Sequence, residues 1–175
     1  MKRLNRLAGA GLLVGLLAMG GMAAAPAYAG PAEVALLKSY IGEWRGRGTL
    51  EGANIETVVC RLAMTPGNQD KVNYKGRCSL AGTQLTMAGT IAYIEDSKRY
   101  EAVMSSNATF NGLAVGRKRG QGLVFDLHER DEDEDGKELS ITARIGLVQD
   151  RIDVLFDVIY VENGDSLRAQ VPFTR

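Results

Sequence analysis

Leu139-Ser140-Ile141-Thr142-Ala143-Arg144-Ile145-Gly146-Leu147 alternates apolar and polar residues without a break. A period of two puts every second side chain on one face of an extended chain, so this stretch reads as a half-buried strand. The pattern recurs. Val72, Tyr74, Gly76, Cys78 and Leu80 form one such face, and Leu85, Met87, Gly89, Ile91 and Tyr93 form another. Tyr100, Ala102 and Met104, and Leu123, Phe125 and Leu127, are shorter examples. Turn signals fall between the runs, among them Gly52-Ala53-Asn54, Pro66-Gly67-Asn68, Glu95-Asp96-Ser97, Gly120-Gln121-Gly122, Asp135-Gly136 and Asn163-Gly164.

This spacing predicts about ten strands, beginning near Glu43, Ile55, Lys71, Gln84, Arg99, Leu113, Leu123, Glu138, Arg151 and Ser166. Every link is short enough for a hairpin and too short for a helical crossover, so the sheet is expected to be antiparallel and sequentially connected. An open sheet of that size curls or splits, and closure removes its unpaired edges. The predicted fold is therefore all-β, an up-and-down barrel, with a two-sheet sandwich as the alternative. One short helix precedes it. Pro31 suits a first turn, Glu33 complements the helix dipole, and Val34, Leu37, Tyr40 and Ile41 recur at helical spacing until Gly42. This helix is expected to cover one mouth of the barrel.

Residues 1–29 read as a cleaved secretory signal. Lys2, Arg3 and Arg6 form a positive start, Leu7 to Met19 is uncharged and apolar, and Ala27-Tyr28-Ala29 offers small residues for cleavage after Pro26. A membrane span needs about 20 apolar residues, more than this stretch has. The expected mature domain is residues 30–175, exported to a bacterial periplasm or the cell exterior. The chain carries 21 basic and 21 acidic residues, and losing three basic ones leaves a mildly acidic domain. That balance argues against a nucleic-acid partner.

Export makes oxidation the default for Cys60 and Cys78. A turn centred on Gln69 sets Cys60 opposite Cys78, Met64 opposite Tyr74 and Val58 opposite Leu80, so the apolar faces of both strands coincide. This register predicts a cross-strand disulfide inside the barrel. There is no Cys-x-x-Cys spacing to suggest redox chemistry, so the bridge reads as a staple.

Ile41-Gly42-Glu43-Trp44-Arg45-Gly46-Arg47-Gly48 is the most specific string in the chain. A Gly-x-Trp where a short helix turns into the first strand resembles the calycin group, the lipocalin-like barrels. The longer Gly-x-Trp-x-Gly-x-Gly is similar to the ten-stranded nitrobindin-type barrels and their periplasmic relatives. The resemblance implies that Trp44 plugs one end beneath an arginine from a late strand, for which Arg168 and Arg175 are the candidates. It also implies a haem-ligating histidine in a C-terminal strand, and here Ser166 to Arg175 contains none. The only histidine, His128, shares a strand face with Asp126 and Arg130 and is expected to point outward, so haem is disfavoured as a cofactor.

No other motif carries chemistry. Asp131-Glu132-Asp133-Glu134-Asp135-Gly136 has Thr142 where a calcium loop needs its twelfth-position glutamate, and reads as an acidic hairpin tip. Arg117-Lys118-Arg119 forms a basic tip expected at the opposite end. No nucleophile elbow or phosphate loop is present, and no metal site is expected. The leading expectation is a non-enzymatic barrel binding a small hydrophobic or amphipathic ligand, lined by Trp44, Tyr74, Met87, Tyr93, Phe125 and Ile141. The alternative is a protein-interaction module, such as a protease inhibitor or an envelope assembly partner.

Overall fold

The structure, a computed structural model, describes residues 30–80, 82–108, 111–133 and 135–175. The predicted signal segment, residues 1–29, lies outside the described residues. One helix, α1 (Pro31–Lys38), is followed by ten strands: β1 (Gly42–Glu51), β2 (Ile55–Pro66), β3 (Val72–Leu80), β4 (Thr83–Ile94), β5 (Arg99–Ser106), β6 (Asn111–Arg119), β7 (Gly122–Glu132), β8 (Glu138–Val148), β9 (Arg151–Tyr160) and β10 (Ser166–Thr174). Each strand pairs antiparallel with its sequence neighbours, and β10 returns to pair with β1, so the sheet closes. The sandwich alternative is thereby excluded. Observed strand starts fall within two residues of those read from the alternation.

Alternation became a barrel because each strand has one apolar face, and the ring gives all ten faces a common interior. Trp44, Val58, Cys60, Met64, Val72, Tyr100, Phe125, Ile141, Leu147, Ile152, Val171 and Phe173 belong to a single buried core. Each such side chain, fully buried, contributes roughly 1.5–3 kcal/mol. The helix ends earlier than its periodicity suggests. It closes at Lys38, Ser39 and Tyr40 form a turn, and the chain enters β1 at Gly42. Tyr40 leaves the helical path to reach the barrel, where its hydroxyl donates 2.8 Å to the Leu147 carbonyl.

The seam between β1 and β10 explains the glycines of the tryptophan motif. A Cβ at Gly46 would lie 2.8 Å from the Phe173 ring, and one at Gly48 would fall onto the Gln170 carbonyl oxygen. Backbone and ring from β10 occupy the space that side chains on β1 would need. Across the next two strands, Cys60 faces Cys78 and Met64 faces Tyr74, as the turn-centred register requires. The ladder between β2 and β3 ends at Val59 and Ser79, one pair short of Val58 and Leu80. Cys60 and Cys78 are joined in a disulfide with their Cα atoms 4.1 Å apart.

Two stability measurements test this account by urea unfolding. The Cys60→Ala/Cys78→Ala variant loses about 3 kcal/mol, the loop-closure entropy of a bridge of this span. Gly48→Ala loses about 1–3 kcal/mol through overpacking at the seam, although alanine has the better strand propensity.

Candidate functional site

The two ends of the barrel differ. Turns 67–71, 95–98, 120–121 and 149–150 share the helix end with the start of β1 and the end of β10. The strand ends Glu51 and Ile55, Leu80 and Thr83, Ser106 and Asn111, Glu132 and Glu138, and Tyr160 and Ser166 surround the other mouth. The basic tip Arg117-Lys118-Arg119 is thus at the helix end and the acidic tip at the mouth. At that acidic tip the Asp133 carboxylate accepts 2.9 Å bonds from the backbone N–H groups of Asp135 and Lys137, so it is engaged in shaping the hairpin. Among the described residues no group of three or more His, Cys, Asp or Glu is arranged to hold a metal.

The helix end is sealed. The largest fully buried side chains are Trp44, Tyr40, Tyr100, Phe125, Leu37, Leu123, Ile152 and Val72, and all belong to this end. Their polar atoms are satisfied within the plug: Trp44 Nε1 donates 3.0 Å to the Tyr40 carbonyl, and Tyr100 Oη donates 3.1 Å to the Glu33 carbonyl of α1. The Tyr100 ring packs at 5.0 Å from Tyr93 and at 6.3 Å from Phe125. Of the two candidate arginines, Arg175 covers the tryptophan. Its guanidinium lies 4.7 Å from the Trp44 ring and donates 2.6 Å to the Ser39 carbonyl. Arg168 is on the outer wall, 2.5 Å from Asp157.

The opposite half is open. Leu50, Leu80, Leu85, Met87, Met104, Leu139 and Val158 face the axis yet stay partly accessible, as do Ile145, Val154 and Phe156 deeper down. These partly accessible apolar side chains line the inner face between the mouth and the plug. Polar groups on this inner face gather at the rim. By strand alternation Glu56 on β2, and Glu129 and Asp131 on β7, face inward near the mouth. Glu129 shares the parity of Leu127, so its inward course is legible in the sequence by the same alternation.

The six predicted lining residues divide between the two regions. Trp44, Tyr93 and Phe125 belong to the plug. Tyr74 and Met87 lie on adjacent strands of the inner wall, each over a glycine of the neighbouring strand: Tyr74 over Gly89, Met87 over Gly76. Ile141 is buried in the wall across the barrel. His128 is exposed on the outer face of β7, opposite Thr142 on β8. Its imidazole thus faces away from the interior, so His128 is not placed to ligate a haem inside the barrel. Residues 31–38 are helical, and Lys38 pairs with Asp70 at 2.5 Å.

Neither a protein-family model nor a curated protein sequence matches the chain. Solved structures do match. The crystal structure of Rv2717c from M. tuberculosis aligns with a TM-score of 0.66 at 14% identity, over 83% of this chain and 97% of that one. The S-type phycobiliprotein lyase CPES from Guillardia theta aligns with a TM-score of 0.53 at 12% identity, over 82% and 92%. The fold is that of a calycin-like barrel. At such identities the likeness concerns the fold alone.

The phenols of the interior provide a pH test. Burial pushes Tyr74 up to about 12, and its hydroxyl donates 3.0 Å to the Val103 carbonyl. Tyr100 is also pushed to about 12, by burial first and then by the Glu33 carboxylate and the neighbouring Tyr93 and Tyr40. Both folded values exceed the unfolded phenol's value near 10, so the folded state holds these protons longer. Their contribution to stability is complete below about pH 10 and is lost as pH rises toward 12. Spectrophotometric titration at the tyrosinate band is expected to show a late step for each of them. Tyr74→Phe and Tyr100→Phe each remove one.

Proposed function

We propose that the protein is an exported, non-enzymatic carrier that holds an amphipathic small molecule in the open half of its barrel. One observation carries the reading: inward-facing apolar side chains, from Leu50 and Leu139 at the mouth down to Ile145 and Val154, remain accessible above a sealed plug. Burying such a surface is favourable, at roughly 25 cal/mol per Å² of apolar area, and a ligand's tail would do so. Glu56, Glu129 and Asp131 at the rim favour a ligand whose polar end, neutral or cationic, stays in water. The ten strands and the Gly42-to-Gly48 motif are read as those of a nitrobindin-type barrel working without that group's haem chemistry.

Export is proposed from the charged, apolar and small-residue succession of residues 1–29, and a disulfide suits an oxidising compartment. The fold neighbour named as a phycobiliprotein lyase supports the ligand-binding reading only by analogy of architecture.

N-phenyl-1-naphthylamine, an apolar dye that brightens out of water, is expected to bind saturably. Ala143 faces the axis on β8, opposite Phe156 of β9, and Ala143→Trp fills the space between the walls. It is expected to weaken the dye about tenfold or more, equivalent to ~1.4 kcal/mol. Leu155→Ala on the outer wall is expected to leave the affinity unchanged. Native mass spectrometry of protein taken from the cell envelope is expected to show a bound lipid-like mass. Absence of both dye binding and adduct overturns the proposal.

A further inference from the structure

The outer wall holds a cluster of positive charge that the barrel interior does not explain. Arg45 on β1 faces Arg61 on β2, and Arg61 faces Arg77 on β3, so three arginines stand in one row on adjacent strands. Arg47 and Lys75 lie on the same outer face, two residues along β1 and β3, and all five are exposed. Like charges directly opposite one another destabilise a sheet. Other arginines of the wall have acidic partners: Arg144 pairs with Asp126, Arg151 with Asp153 and Arg168 with Asp157. Among the described residues, none of the five has a carboxylate within ion-pair distance, although the chain has as many acids as bases.

Grooves lie on either side of Arg61. A groove of about 480 Å³ runs from β2 to β5 over the short side chains of Ala63, Ala88 and Ser105, bordered by Arg61, Arg77 and Lys75. A second groove of about 440 Å³ lies over β10, β1 and β2, bordered by Arg45, Arg47 and Arg61. Arg61 borders both. Glu43, at the edge of the first groove, is the one carboxylate in either lining. Adjacent strands are about 4.8 Å apart, so the three guanidinium groups are rooted across roughly 10 Å. A single phosphate engages one or two of them, whereas linked phosphates reach from one groove to the other past Arg61. Arginine's planar fork matches phosphate oxygens bidentately.

We propose that the outer wall of β1, β2 and β3 binds a molecule carrying two or more linked phosphate groups, gripped by Arg45, Arg61 and Arg77 and flanked by Arg47 and Lys75. The site is separate from the interior cavity, and either can exist without the other.

Calorimetric titration of the purified protein with inorganic tripolyphosphate tests it. Saturable one-to-one binding is expected, with orthophosphate at least about tenfold weaker. Arg61→Gln is expected to weaken tripolyphosphate about tenfold or more, the effect of one charge-assisted contact. Arg45→Gln and Arg77→Gln each act in the same direction. Arg117→Gln, at the basic tip of the sealed end, leaves the affinity unchanged. Because Arg61→Gln relieves like-charge opposition, its melting temperature is expected to equal or exceed that of the native protein, which separates lost binding from lost folding. Sedimentation with vesicles containing cardiolipin, whose headgroup links two phosphates through glycerol, against phosphatidylcholine vesicles, distinguishes sources. Arg61-dependent retention on the anionic vesicles supports the site and assigns it a lipid headgroup. Tripolyphosphate binding without retention supports it and assigns a soluble ligand. No saturable binding in either arm, or equal weakening by Arg61→Gln and Arg117→Gln, overturns the proposal.

Discussion

The barrel depends on the contact between its first and last strands. β10 can lie against β1 only because positions 46 and 48 carry no side chain, leaving room for the Phe173 ring and the Gln170 carbonyl. Pairing there satisfies the backbone groups of both terminal strands, which in an open sheet would be exposed edges. Closure also brings the C-terminal Arg175 over Trp44 and against the carbonyl of Ser39. One seam thus completes the sheet, locks the tryptophan plug and anchors the turn that follows the helix.

An asymmetric molecule follows from that lock. At the helix end aromatic rings pack edge to face and donate to backbone carbonyls, leaving the plug without an unsatisfied buried side-chain polar atom among the described residues. No second helix covers the other mouth among the described residues, and the inward-facing leucines and methionines there keep part of their surface open. A sheet closed by ten strands is too wide for side chains of ordinary size to fill it from wall to wall. The helix and its neighbouring rings fill one end, while inward side chains of the other half stay partly accessible.

Charge is sorted over the same frame. The chain is balanced overall, yet arginines meet arginines across β1, β2 and β3 while β7 to β10 carry alternating ion pairs. Net charge reports nothing of this, because it sums over faces that point in different directions. The pattern was nonetheless within reach of the sequence. The hairpin register that opposes Cys60 and Cys78 also opposes Arg61 and Arg77, one pair along the ladder.

What the sequence by itself determined is whatever depends on local period and turn position. The alternation from Leu139 to Leu147 places Ile141 and Ile145 on one face of β8, and the turn around Gln69 sets the cysteine register. Strand count, antiparallel order and the outward course of His128 follow from the same two-residue repeat. Only the tertiary structure decided between Arg168 and Arg175 as the cover of Trp44, because both lie in or just after the same last strand. Alternation sends Arg168 outward to Asp157, while Arg175, one residue past β10, lies over the plug. Tertiary structure also decided which predicted lining residues face open space. Tyr93 and Phe125 share the inward parity of Met87, but parity specifies a face and not a depth. Depth along the axis is set by how ten strands are staggered and by where the helix lands.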